Sequence, residues 1–275
     1  MNTTSKHREP IFAGIFYPDD AQFLDDLIAM AVQSAQPGRF GAKALLIPHA
    51  CFDYIHGLQA IAWKSATGNR HPIDTIFILA DTTHYDKPAI ILPESDFFDT
   101  PIGSIRINQN SCAEILASST IVHIDDIAHM KEHSIEVQLP FMKKLFPEAS
   151  LVPILLAGKG DAIARIVSNI LDILLLEGST GRLMVSSSNI ASSVLPQKAS
   201  QLAAKMLENI SRFNRDGLYR DTVDYAHVAV GSIAAVLGLS HLAGSEFCLL
   251  GQADSGILRD NNVESIVQYA AAGWY

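Results

Sequence analysis

The chain is 275 residues long, carries a formal net charge of −9 from 29 acidic against 20 basic side chains, and is 48% hydrophobic. That length and composition suit one large domain spanning 1–275 with ample core material, which excludes a disordered chain. The lysines and arginines are scattered, so there is no basic face with which to displace counterions from a nucleic acid.

In chain order, KALLIP (43–48) is a compact apolar run ending at Pro-His, the mark of a buried strand, and GLQAIAWKSA (57–66) has helical spacing. DTIFILA (74–80) and KPAIILP (87–93) predict two more buried strands, and SIRIN (104–108) alternates like a strand with one wet face. SIEVQLPFMKKLF (134–146) places Ile135, Leu139, Met142 and Phe146 at helical spacing, with Pro140 kinking that helix or opening its second half. SLVPILLAG (150–158) predicts a strand, AIARIVSNILDILLLE (162–177) an amphipathic helix, and RLMVSSS (182–188) a strand running into serines. Helices are predicted over 197–213 and 229–242, and strands over 246–252 and 263–275. Buried strands alternating with helices imply a three-layer α/β fold, with a mixed, mostly parallel central sheet covered by helices on both faces.

Several function classes lack their signatures. The apolar runs, such as IVSNILDILLL (166–176), are broken by Asn169 and Asp172 and are too short to span a bilayer. The N-terminal MNTTSKHREP has no apolar run of the secretory kind. Cys51, Cys112 and Cys248 form no CxxC pair, and their odd number predicts reduced thiols in a cytoplasmic protein. Neither of the common glycine-rich nucleotide loops occurs, and the serine cluster at 186–193 has no G-x-S-x-G elbow.

Ligand sites in such sheets gather beyond the carboxyl ends of strands. This draws attention to His49, to residues 81–84 and to residues 186–189. His49 and His84 sit just past two predicted strands; a neutral imidazole there can ligate a metal or act as a base, or simply cap a loop. The Asp-Thr-Thr run before His84 also reads as an ordinary turn. In KEHSIEVQLPF (131–141), helical geometry would crowd Glu132, His133 and Glu136 onto one face. The spacing is not HExxH. The trio can pass a proton, or Glu136 can simply hold His133 in place.

Together the ordered motifs resemble the Memo family, also known as the MEMO1 family, whose bacterial and archaeal members include AmmeMemoRadiSam system protein B. The matching pieces are AGIFYP (13–18), IPHACFDY (47–54), IFILADTTH (76–84), TPIG (100–103), EHSIEVQLPF (132–141), VPILLAG (152–158), SSNIAS (187–192), DSG (254–256) and QYAAA (268–272). The resemblance implies the fold of class III extradiol ring-cleaving dioxygenases, non-haem iron enzymes, and a pocket with a related metal set. It also implies AMMECR1-like and radical SAM partners.

Carried over residue by residue, the implied ligand set is eroded. His49 matches the histidine of PHAG, and Cys51 replaces its glycine. His84 matches one histidine of GPSHH, with Thr83 at the other place in an ungapped register. Asn189 and Ser192 stand where the family has Asp and His, and Val228 stands where it has a cysteine, beside His227. A transition-metal site needs about three or four protein ligands.

The expectation is a divergent Memo-like protein with a degenerate pocket around His49, His84, Asn189, Ser192 and His227. Such a pocket binds an unknown small molecule or protein partner rather than cleaving rings, and any iron, copper or zinc is held weakly or not at all. Glu132, His133 and Glu136 are expected to brace the pocket wall near His49. The alternative is a metal-dependent dioxygenase-type oxidoreductase. In it, His49 and His84 hold iron, Glu136 or His227 completes the set, and Glu132 or His133 moves protons. A pure interaction scaffold would instead turn His49 and His84 apart and fill the pocket with apolar side chains.

Overall fold

The computed structural model describes residues 5–69, 71–85, 87–158, 160–176, 181–221, 228–258 and 265–275. Its first half contains β1 (His7–Arg8), α1 (Ala21–Ser34), β2 (Ala44–Ile47), α2 (Phe52–Ser65), β3 (Thr75–Thr82), β4 (Ala89–Leu92), β5 (Phe97–Thr100), β6 (Gly103–Arg106), α3 (Gln109–Ser118) and β7 (Val122–Ile124). Three short helices follow: α4 (Asp126–Lys131), α5 (His133–Glu136) and α6 (Leu139–Leu145). The second half contains β8 (Ser150–Ala157), α7 (Asp161–Leu176), β9 (Arg182–Ser187), β10 (Ala191–Ser193), α8 (Pro196–Ser211), α9 (Arg215–Asp221), α10 (Gly231–Leu237), β11 (Phe247–Asp254) and β12 (Ile266–Trp274).

The main sheet runs β10-β12-β2-β9-β3-β8-β4-β7, with β11 added along β12. Its centre, β2-β9-β3-β8, is parallel throughout, and antiparallel pairs flank it at β12 and β4. The central strands have both faces covered, which is why they read as unbroken apolar runs: every residue of ALLI and SLVPILLA is buried. Helices α1, α2 and α6 pack together and lean on β2, β11 and β12, while α7 and α10 cover β3, β4, β8 and β9. α7 turns Ile163, Val167, Ile170, Leu171 and Leu174 inward at helical spacing. This is the expected three-layer α/β arrangement, with a mixed, mostly parallel central sheet between helices. A small sheet, β1-β5-β6, joins it through a bridge between Ile107 and Leu151.

Some elements depart from expectation. The helix predicted over 134–146 is two helices, with a third just before them. Glu132 breaks the path with extended backbone (φ −109, ψ 119), and Pro140 sits in the first turn of α6, where its missing N–H costs nothing. The helix predicted from 57 begins at Phe52, and the one predicted over 229–242 ends as a helix at Leu237 and closes with a 3-10 turn at Ser240–Leu242. β5, β7 and β10 were too short to stand out by periodicity. α1, capped by Asp20, and α3, capped by Asn108, each carry a side-chain signal at the start that reveals them in hindsight.

Candidate functional site

Three adjacent parallel strands, β2, β9 and β3, end at the same edge of the sheet. Past their carboxyl ends lies a cavity of about 220 Å³. His49 comes from the turn after β2, Asp81, Thr83 and His84 from the end of β3, and Ser188 and Asn189 from the turn after β9. Glu132 and His133 close one wall, and Val228 and Ala229 another.

His49 is held by β9. Its Nδ1–H donates to the Ser187 carbonyl at 3.1 Å, which leaves Nε2 as a lone-pair acceptor. Burial, and secondarily the charge of nearby His133, pull its pKa down to about 3, so it is a neutral imidazole at physiological pH. Asn189 fastens the same turn through the backbone. Its Oδ1 accepts from the His49 N–H at 3.1 Å, and its Nδ2 donates to the His49 carbonyl at 3.2 Å. From beneath, Gln138 donates to the Pro48 carbonyl and to Ser187 Oγ, both at 2.9 Å, while Ser187 Oγ donates to the Ser134 carbonyl at 2.6 Å. The side chains of His49, Asn189, Gln138 and Ser187 at the strand end thus each have a defined partner, the condition for a rigid buried network.

His133 lies 5.4 Å from the His49 ring, centroid to centroid, nearly edge-on. Phe16 stacks on it at 4.3 Å, and Phe12 meets it edgewise. Burial lowers its pKa, opposed by Glu132 and Glu136 and assisted by His84. Glu132, only 8% exposed, reaches 3.6 Å from His133 Nδ1 and caps α5 by accepting from the Ser134 N–H at 3.3 Å. On the far wall Asp81 accepts from the Ser232 N–H at 2.9 Å, at the start of α10. Burial pushes Asp81 up to about 6 against the pull of the Ser232 and Gly231 donors, with the nearby Glu132 charge adding a little.

The expected single face of Glu132, His133 and Glu136 does not exist. Since Glu132 is an extended cap outside α5, it turns to the cavity with His133, while Glu136 turns away. Glu136 meets Arg8 at 2.7 Å and the Tyr17 hydroxyl at 2.7 Å, and it accepts from the backbone N–H groups of Ile11 and Phe12. His133 is therefore partnered by Glu132 and not held by Glu136.

Of the other predicted site residues, His84 lines the cavity at its exposed rim, its backbone N–H donating to Thr82 Oγ1. Ser192 does not line it. It sits on β10 beside β12 and donates to Ser265 Oγ at 3.3 Å, because the chain after Asn189 turns into that strand. His227 lies outside the described residues. Sequence reasoning undervalued Asp81, read as part of a turn; its place directly after an apolar strand was the available signal. It also left Phe12 and Phe16 without a role.

Among the described residues, no group of three or more His, Cys, Asp or Glu side chains is arranged to hold a metal ion. Asn189, at the position where the resemblance implied an Asp ligand, has both amide atoms engaged with the His49 backbone. The described residues around the cavity therefore present no ready donor set for iron, copper or zinc. No helix among the described residues is long and apolar enough to cross a membrane.

The family described as Memo-like protein matches residues 8–273. A MEMO1 family protein from Thermotoga maritima is 27% identical, over 96% of this chain and 98% of its own. A second, from Desulfurococcus amylolyticus, is 28% identical over 98% and 99%, and a third, from Methanocaldococcus jannaschii, is 27% identical over 98% and 99%.

Proposed function

We propose that this chain, which belongs to the Memo-like family, is a small-molecule-binding protein that folds as one domain, acts in the cytoplasm and does not cleave rings with a resident metal. The observation that carries this reading is the pairing of Asn189 with both backbone groups of His49. A side chain with both amide atoms spent this way is a structural clip and not a metal donor, and three or four donors are needed to hold iron, copper or zinc tightly.

What remains at the strand ends is a preformed polar cavity, with imidazoles of His49, His84 and His133 and carboxyls of Asp81 and Glu132 facing a common space. At about 220 Å³ it lies below the usual range for drug-sized ligands, so its occupant is compact. The interaction-scaffold reading required a pocket packed with apolar side chains, and only Val228 and Ala229 among the lining residues are apolar.

The test is equilibrium dialysis of the purified chain against iron(II), zinc(II) and copper(II), followed by metal quantification and a thermal-shift screen of small polar compounds. Compounds that raise the melting temperature of the wild type and not of His49→Ala support the reading. Stoichiometric metal retained by the wild type and lost in His49→Ala overturns it.

A further inference from the structure

Around the cavity, the donors whose partners the structure fixes are spent on the protein itself. His49 Nδ1–H goes to the Ser187 carbonyl, Asn189 Nδ2 to the His49 carbonyl, and Ser188 Oγ to the Asn189 carbonyl at 2.9 Å. The acceptors are left over. His49 Nε2 carries a lone pair. Glu132 takes the Ser134 N–H on Oε1, which leaves its second oxygen to the cavity. Asp81 takes the Ser232 N–H on Oδ2 and is also drawn on by the Ser232 side chain and the Gly231 N–H, so it brings the cavity a charge more than a free acceptor site. Among the described residues no lysine or arginine pairs with Asp81 or Glu132, and none lines the cavity. The nearest basic partner of Glu132 is His133, which burial disfavours as a cation.

Buried carboxyl groups without a counter-charge are costly, and a carboxyl-lined cavity rejects anions for the same reason. Elsewhere in this chain the rule is obeyed: the more deeply buried Glu136 has Arg8. A bound cation would do for Asp81 and Glu132 what Arg8 does for Glu136. A metal ion is the poorer occupant, because the donors are not grouped to coordinate one. An ammonium group places up to three N–H donors at ordinary hydrogen-bond distances and asks only for acceptors, which His49 Nε2 and the two carboxyl groups supply.

We propose that the cavity binds a small organic amine in its ammonium form, held between Glu132 and Asp81 with His49 Nε2 as a further acceptor. This rests on the ligand-binding reading above and adds the class of ligand.

The test is isothermal titration of the full chain with putrescine, butanediol and succinate, which share a carbon length and differ in charge. Putrescine is expected to bind, with butanediol and succinate weaker or silent. Glu132→Gln keeps an acceptor for the Ser134 N–H, so it folds, and it is expected to weaken putrescine roughly tenfold or more. Asp81→Asn serves as the second variant, and far-ultraviolet circular dichroism checks the fold of both. Butanediol or succinate binding at least as tightly as putrescine overturns the ammonium assignment and leaves the ligand-binding reading standing. No heat with any of the three overturns both. Putrescine binding unchanged in both variants places the amine elsewhere and overturns the proposal.

Discussion

Arg8 and Glu136 form an ion pair at 2.7 Å in which the two side chains are only 3% and 0% exposed. Each partner is fully occupied. Arg8 also donates to the His129 carbonyl and lies over the Phe98 ring, while Glu136 gathers the Tyr17 hydroxyl and two backbone N–H groups. The pair ties the N-terminal segment to α5. That segment presents Phe12 and Phe16 to His133, so the most distinctive motif in the sequence acts on the cavity through the segment it anchors.

Removing one member of this pair leaves the other charge buried without a partner. Glu136→Gln is expected to cost about 3–5 kcal/mol of unfolding free energy. Urea denaturation with a shared slope for both proteins measures it. A loss under about 1 kcal/mol, the size of a surface pair, would show that the pair is not excluded from water as described.

Acid should weaken the fold before it reaches the ordinary carboxylate range. His49 and His129 are both held down to about 3, chiefly by burial, against an ordinary value of 6.5. A depressed histidine contributes stability that is fully present above 6.5 and is lost as pH falls toward 3, because the unfolded chain takes up the proton first. Asp81, raised to about 6 from 3.8, has the opposite sign: the native state binds its proton first between these values, so stability gains as pH falls. Two histidines outweigh one aspartate. The unfolding free energy at pH 4.5 should be lower than at pH 7.5, measured in urea at both. A flat or rising profile on acidification would contradict the neutral, buried state of the two imidazoles.

The amide at position 189 cannot be replaced by a carboxylate without loss. In Asn189→Asp the contact with the His49 carbonyl has no donor, and two oxygens face each other. The expected cost is about 1–3 kcal/mol, the penalty for an unsatisfied buried polar group. Nitrogen-15 spectra of the histidine ring should also show His49 leaving its single Nδ1–H tautomer. A variant with unchanged stability and an unchanged His49 spectrum would mean that the clip does not hold the turn.

How much of this was legible follows from locality. The central strands declared themselves because both their faces are buried, so no alternation hides them. The rule that sites gather past parallel strand ends drew attention to His49, to residues 81–84 and to residues 186–189, and the structure brings His49, Asp81, His84 and Asn189 together at one edge of the sheet. The side that Glu132 and Glu136 face was not legible, because helical spacing assumes an unbroken helix and Glu132 is extended. Arg8 as the partner of Glu136 was not legible either, since nothing local links residues so far apart in the chain. Ser192 was placed by motif alignment alone, and one turn of the chain after Asn189 carries it out of the cavity.

Gly231 provides the sharpest steric test of the cavity's far wall. A Cβ added there would fall well inside contact distance of Asp81 Oδ1. Gly231→Ala must therefore push the Asp81 carboxyl aside and lose its bond to the Ser232 N–H, at an expected cost of about 1–3 kcal/mol. Because the obstacle is the side chain of Asp81, Asp81→Ala in the same chain removes the clash. The double variant should be more stable than the sum of the two single losses predicts, by about 1 kcal/mol or more in a double-mutant cycle. Additive losses would mean that Gly231 and Asp81 are not in contact, and the wall formed by β3 and α10 would have to be redrawn.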